Sequence, residues 1–511
     1  MSYDYIVVGG GISGLNTALK LCNGKNKVLV LERNNRLGGR LETYNNKKIK
    51  YEIGGARFHK GHKKLFELIK MFNLEDKIFH IPNDITFIPI KSKFKKKYNT
   101  NKIIDKILEN SSSLTKKELL STNITKLCSK LLTNLECKYF IESFEYISEI
   151  QDLNAYEAIN TFKNDLHHTL KFYLFKNGFI ELINLMEKFL KDNNCDIKLN
   201  HTLRNIKKTN ETYQLEVKNI LDNKSFKTKN LILALDKVPL LSLPYLKSIK
   251  PILENVKSIP LLRIYAIYPH NPKTKKVWFH DLGKITTDLE IKYIIPYNPS
   301  IGLIMISYTD QILAEYWNKI ANQGLDKLEL ELTKQLNKLF PNKKIPKTSY
   351  LKAHYWPQGF HSWKKNKESD IESKKILQPF PKEKLYICGE SYSQRQGWVE
   401  GALETSEEVI KLINNIKTNK KQQKGGVKKN KTKKIKYFTK KEVSKHNKPD
   451  DLWIIIKKNV LDVTEWQHSH PGSPMPIQAF GGKDATKAFL GRGHSNNAKK
   501  LMKKFIIGKI K

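Results

Sequence analysis

The opening of this chain constrains its fold more than any other stretch. The apolar run Tyr5 to Val8 leads directly into Gly9-x-Gly11-x-x-Gly14, and apolar residues at helical spacing follow as far as Leu21. Strand, glycine turn and helix in that order is the context that lifts such glycine spacing above coincidence. Gly9 suits a tight turn, Gly11 lets a pyrophosphate approach the backbone, and Gly14 lets the helix pack closely on the strand. The free N–H groups at the start of the helix favour an anion there. A second apolar run, Val28 to Leu31, ends in Glu32, whose carboxylate would accept from ribose hydroxyls and disfavour a 2′-phosphate. A dinucleotide site on a Rossmann-like sheet is the expectation.

Two further glycine turns follow, Gly38-Gly39-Arg40 and Gly54-Gly55-Ala56-Arg57, more than one dinucleotide half-site requires. Far downstream, LYICGESYSQRQGWVEGALETS contains Gly389-Glu390 and then Trp398-Val399 at the start of a helical pattern. NLILALDKVPL, with Ala234 and Pro239, reads as a strand and turn. Together these stretches resemble the flavin amine oxidase family over about residues 3–416, strongly at both ends and weakly between. The resemblance implies FAD, held by Gly9, Gly11, Gly14, Glu32, Arg33, Gly39, Arg40, Gly55, Ala56, Arg57, Gly389, Glu390 and Val399. It also implies hydride transfer from a carbon next to nitrogen to flavin N5, with an amine as the substrate class.

Members of that family often flank the reacting carbon with two aromatic rings. Trp398 falls on one such position. For the other, Trp356, Phe360, His361 and Trp363 of AHYWPQGFHSW compete, and His361 is nearest by spacing from Gly359; each could instead pack in a core. Where the family often has a lysine near flavin N5, the strand LLRIYAIYP offers Arg263. Permanently charged, it would be a poor base; it either anchors a carboxylate or other anion, or is a surface residue on an edge strand. No cysteine lies in AHYWPQGFHSW, so FAD is expected without a covalent bond.

The C-terminal segment carries a second theme. His470 in EWQHSHPGS and His494 in GRGHSNNA are separated by turn punctuation and apolar residues, which suits short helices walling a flat apolar cofactor. Trp453 to Ile456 and Val460 to Val463 read as strands, and Thr464 as the cap of a helix holding Glu465 and Trp466. Pro474 and Pro476 leave little room for a helix just after His470. The segment resembles cytochrome b5 over about residues 449–511, apart from Ser473, where the family usually has glycine. That resemblance implies haem b with His470 and His494 as axial ligands, closing the iron to oxygen and leaving electron transfer as its task.

The net charge of +42 could signal a nucleic-acid or membrane partner. Lysine, however, is spread through the chain beside abundant asparagine and isoleucine, so compositional bias suffices and nucleic acid is not the expected partner. Residues 417–448 are the exception, a lysine-rich stretch too poor in apolar residues to fold alone, read as a flexible linker with nuclear targeting as the alternative. Five scattered cysteines, Cys22, Cys128, Cys137, Cys195 and Cys388, show no metal-like spacing and point to a reducing compartment. No apolar run approaches the ~20 residues of a membrane helix, so a soluble, cytoplasmic protein without a membrane anchor is expected. Oxygen or an external electron carrier would be its other partner.

The expected architecture is α/β and α+β. A discontinuous Rossmann-like FAD domain (about 1–80, 200–255 and 380–416) holds an inserted mixed α+β substrate domain (about 81–199 and 256–379), and a small α+β haem domain spans 449–511. Helical spacing is clear in KKLFELIKMFNL and in GFIELINLMEKFL, which Asn177-Gly178 opens; strand alternation runs through 200–235 and 255–310, and 311–340 is helical.

Overall fold

The computed structural model describes the chain except residues 47, 95–97, 220, 425–435, 471–473, 493–497 and 499–500, and the side chains of 416–424, 468, 469 and 503. It divides into two compact units, Met1–Thr418 and Asn419–Lys511.

The first unit is organised by a seven-stranded sheet. Ser2–Val8 runs parallel to both Asn223–Leu233 and Val28–Leu31, Asp196–Lys198 extends the parallel part, Leu385–Ile387 joins Asn223–Leu233, and the antiparallel strands Thr202–Thr209 and Thr212–Lys218 complete the other side. Side chains alternate along the first strand: Tyr5 and Val7 enter a core with Leu15 and Leu19, whereas Ile6 and Val8 enter a core on the opposite face with Leu231 and Leu240. A strand covered on both faces reads as one apolar run, as this one does. The strands come from three separate parts of the chain, so the cofactor unit is discontinuous.

Helix Phe179–Asp192 belongs with this sheet. Phe179, Leu182, Ile183, Met186 and Leu190 share the core of Leu15 and Leu19, so the assignment of residues up to 199 to the inserted substrate part is corrected. An amphipathic helix shows which face is buried but not which layer buries it. Gly178, at φ 81°, does open this helix.

The insertion contains a six-stranded sheet in the order Tyr350–Trp363, Val256–Ile267, Leu303–Asp310, Tyr293–Asn298, Lys284–Thr287 and Ile85–Ile88. A block of helices between Thr100 and Asn164 packs around Ile107, Ile124, Phe140 and Phe162. Two of these helices begin with reciprocal capping boxes, Thr115 with Glu118 and Thr133 with Glu136.

The second unit is a five-stranded sheet, Tyr437–Phe438, Ile506–Ile510, Asn459–Asp462, Asp451–Ile456 and Asn447–Lys448, with short helices. Residues 437–448 supply two strands and helix Lys440–Val443, so the unit begins well before 449; only part of the expected 417–448 linker is a connection, and 425–435 lie outside the described residues. Thr464 is not a helix cap: its hydroxyl donates to Asp462 (2.8 Å) and accepts from the Leu452 N–H (2.8 Å), binding two strands together. The short helix Met475–Gln478 forms despite Pro474 and Pro476, because a first turn needs no N–H from proline. No helix among the described residues is long and apolar enough to cross a membrane.

Candidate functional site

The strand Ser2–Val8 delivers Gly9 to the edge of a cavity of ≈ 1090 Å³. Gly9 has φ 110°, and a Cβ there would sit 2.2 Å from the Ala234 carbonyl oxygen. A Cβ on Gly14 would sit 1.9 Å from the Gly9 oxygen. Both glycines are therefore required by packing. Gly11 differs: a Cβ there meets nothing within 4 Å, and it precedes helix Ile12–Leu21 without any side-chain cap. The first-turn N–H groups thus border open space on the cavity wall, the arrangement that takes a phosphate.

Glu32 stands at the end of the next strand, 6% exposed, on the same wall. Its Oε2 accepts from Gly10 N–H at 2.7 Å and its Oε1 from Asn34 N–H at 2.9 Å, which fixes the carboxylate where ribose hydroxyls would lie. Arg33, Gly39, Arg40, Gly55, Ala56, Gly389 and Val399 also line the cavity. Gly389, with φ 138°, leaves more than 3.6 Å free at its Cβ position, with Leu235 O nearest at 3.7 Å. The glycine cradle, the anchored ribose acid and the cavity's size fit FAD.

Glu390 is turned to a structural task. Its Oε2 receives Arg40 Nη1 at 2.6 Å and His361 Nδ1 at 2.9 Å; its Oε1 receives the His361 N–H at 2.9 Å and the Gly397 N–H at 2.8 Å. Burial opposes ionisation, yet Arg40 and His361 hold this carboxyl well below the usual carboxylate range. His361 is fully buried in that network and its ring does not line the cavity. The reading of His361 as the second slot ring is therefore corrected: from the same strand, Trp356 and Phe360 face the cavity, and Trp356 Nε1 donates to the Ile53 carbonyl at 3.1 Å. A strand alternates its faces, and spacing from Gly359 could not say which face turned inward.

Trp398 lines the cavity just before helix Val399–Lys424. Its ring lies 5.3 Å from that of His62, whose ring centroid is 3.9 Å from that of His59 with the two planes tilted by 47°. Both imidazoles reach Asp165 Oδ1, at 3.3 and 3.2 Å, and Arg395 Nη2 reaches the same oxygen at 2.5 Å. Gly61 N–H donates to His59 Nδ1, so His59 Nε2 carries the proton and the trio is a hydrogen-bonded clamp rather than a set of metal ligands.

Arg263 lies on a strand paired on both sides, which removes the edge-strand alternative. Its Nη1 donates to the carbonyls of Glu52 (3.1 Å) and Gly54, and the guanidinium sits 4.5 Å over the Tyr308 ring. Arg57 also lines the cavity, over the rings of Phe172 (4.7 Å), Tyr146 (5.5 Å) and Trp398 (5.9 Å). Glu52, Tyr146 and Glu149 also line the cavity and were not singled out in the sequence. Burial pushes Glu52 up to about 7, against the N–H of Phe179, whose helix it caps at 2.7 Å. In the sequence these residues read as polar positions of ordinary strands and helices, so only their convergence marks them.

In the second unit His470 follows the turn Trp466–Ser469, half-buried, with its ring 5.2 Å from that of Trp466. Trp466, Phe480, Phe489, Met502 and Phe505 border the core formed by Leu452, Ile454, Leu461 and Ile477. Aromatic and aliphatic walls beside an imidazole fit a haem. His494 and Ser473 lie outside the described residues.

Residues 12–409 match the model of the family of flavin containing amine oxidoreductases, and residues 439–511 that of the cytochrome b5-like heme/steroid binding domain. Cytochrome b5 of Drosophila melanogaster is 45% identical over 75 residues, covering 15% of this chain and 56% of that protein. Cytochrome b5 isoform E of Arabidopsis thaliana is 48% identical over 69 residues, 14% of this chain and 52% of its own length. The match thus spans about half of these relatives. A redesigned single mutant of putrescine oxidase superposes with a TM-score of 0.64 at 14% identity, over 81% of this chain and 99% of its own, a likeness of fold. Matched over well more than half its length, the chain belongs to the flavin containing amine oxidoreductase family, as an FAD-dependent oxidoreductase that carries a C-terminal cytochrome b5-like haem-binding domain.

Proposed function

We propose that the protein oxidises a small amine by loss of hydride from the carbon next to nitrogen, and passes the electrons to a bis-His haem or to oxygen. The observation that carries this reading is one cavity running from the Gly9–Gly11 turn and Glu32 to a region walled by Trp356, Trp398, Tyr146 and Tyr308. FAD, when bound, supplies the hydride acceptor; the protein's part is to orient the substrate and exclude water. Trp356 and Trp398 would hold the substrate carbon in an apolar slot, while Glu32, Arg33 and Arg40 would hold the dinucleotide. Among the described residues no cysteine lines this cavity, which favours a non-covalent cofactor.

His470 and His494 are proposed as the axial haem ligands. Two imidazoles leave no open coordination position, so the haem would carry single electrons. Oxidation of one amine yields two electrons, which a one-electron centre accepts in two steps.

Anaerobic mixing of the holoprotein with a panel of primary amines tests the reading. Flavin bleaching followed by the rise of reduced-haem bands is expected. Bleaching with an unchanged haem spectrum would sink the internal relay, and no bleaching with any amine would sink the amine assignment.

A further inference from the structure

One acidic residue on the cavity wall, Glu149, has a carboxyl oxygen without a hydrogen-bond partner among the described residues. Glu149 lies in the short helix Ile147–Gln151 and lines the cavity together with Tyr146 and Ser148. The start of that helix is fixed from outside, because the Asp310 carboxylate accepts from the N–H of Ile147 at 3.2 Å and from that of Ser148 at 2.9 Å. Glu149 is thereby held in place while its own carboxyl stays unused: Oε2 is buried without a hydrogen-bond partner among the described residues. An unsatisfied buried oxygen is unfavourable, and Glu149 lines the cavity, so a ligand there would give the carboxyl the partner it lacks.

The charged groups acting on Glu149 are the carboxylates of Asp310, Asp165 and Glu145 and the guanidinium of Arg57. Arg57 makes ring contacts with Tyr146, Phe172 and Trp398 but no ion pair with Glu149. The acid therefore remains available to a molecule inside the cavity.

We propose, resting on the amine reading above, that Glu149 receives the substrate's nitrogen and, when ionised, takes its proton, so that the amine is neutral when it enters the ring-lined part of the cavity. An ammonium has no lone pair, and hydride loss from the adjacent carbon needs that lone pair to form the C=N bond. In the step, one N–H bond breaks and one O–H bond forms on Glu149; an ammonium and a carboxylate become an amine and a carboxylic acid, with no change in oxidation state. Burial disfavours both charged partners and so favours the neutral pair. Burial, reinforced by Asp310, Asp165 and Glu145 and opposed by Arg57, pushes Glu149 up to about 8. That lies much nearer to an alkylamine, at about 10.4 for lysine, than an ordinary carboxyl does.

The test is calorimetry of the holoprotein with tert-octylamine, a primary amine with no hydrogen on its nitrogen-bearing carbon, in buffers of different ionisation heat. Such a pair of titrations counts protons released on binding. For the wild type, release of about one proton at pH ~7 should fall to about zero at pH ~9, where Glu149 is already ionised and absorbs the proton itself. Glu149→Gln should still release about one at pH ~9, and Glu149→Asp should return the count toward the wild-type value. Equal counts in wild type and E149Q at pH ~9 would overturn the role of Glu149 while leaving the amine reading intact. If the wild type is bleached by amines but does not bind tert-octylamine, the rate of flavin bleaching decides: a rise through pH ~8 that persists in E149Q overturns the proposal, and its loss supports it. Absence of both binding and bleaching in the wild type overturns the amine reading itself.

Discussion

Arg40 and Glu390 form an ion pair, Nη1 to Oε2 at 2.6 Å, across 350 positions of sequence. The glycine turn after the first two strands is thereby fastened to the loop before the last helix of the unit, and both line the cavity. Glu390 also accepts from the His361 N–H and from the Gly397 N–H, one residue before Trp398.

Glu390→Gln should therefore loosen two walls at once. Removing one partner of a largely buried pair costs about 3 kcal/mol, to be read as a lower Tm and as FAD lost on gel filtration. The pH dependence carries a sign. Glu390 is held below the usual carboxylate range in the folded protein, so its stabilisation is complete above the unfolded value of about 4.3 and is lost as pH falls toward the folded one. Acid unfolding below pH ~4 should be steeper for wild type than for E390Q.

Glu52 behaves in the opposite sense. Burial raises it to about 7, so its contribution is present below about 4.3 and is lost as pH rises through the folded value. Glu52→Gln should flatten the decline in stability between pH ~4.5 and ~7, measured by denaturant titration at a series of pH values. An unchanged slope would show that Glu52 ionises normally.

Trp398→Ala should slow flavin bleaching by the best amine of the panel about 100-fold while FAD content stays near that of wild type. Trp398→Phe should recover much of the rate, since a ring remains against His62 and Arg57. Equal loss of FAD in both variants would instead make Trp398 a cofactor contact.

His470→Ala should abolish the haem absorption band and leave flavin bleaching by amines intact, because His470 lies in the second unit and the cavity in the first. Retention of a normal haem spectrum would remove His470 from the ligand set.

Much of the cofactor site was legible because its chemistry is local. Gly9, Gly11 and Gly14 sit within one turn, and their spacing reports a steric requirement that the Ala234 and Gly9 oxygens make explicit. Trp398 and Glu390, which both line the cavity, were named from a longer motif. His361 was placed on the wrong face because aromatics crowd AHYWPQGFHSW at both parities of a strand. Thr464 was read as a cap because threonine before an apolar turn has that local use, whereas its partners, Leu452 and Asp462, lie on two strands.

The sequence by itself determined the two modules and the glycine turn before helix Ile12–Leu21, and it supplied Glu32 and the histidines proposed for the cofactors, since backbone sterics and motif spacing act over a few residues. The tertiary structure alone decided that Arg40 meets Glu390, that helix Phe179–Asp192 packs with the sheet of Ser2–Val8, and that Glu149 lines the cavity with its Oε2 buried and unpartnered among the described residues. Those outcomes depend on which distant surfaces desolvate one another. Burial and pairing across hundreds of residues leave no periodicity in the local sequence from which they could be read.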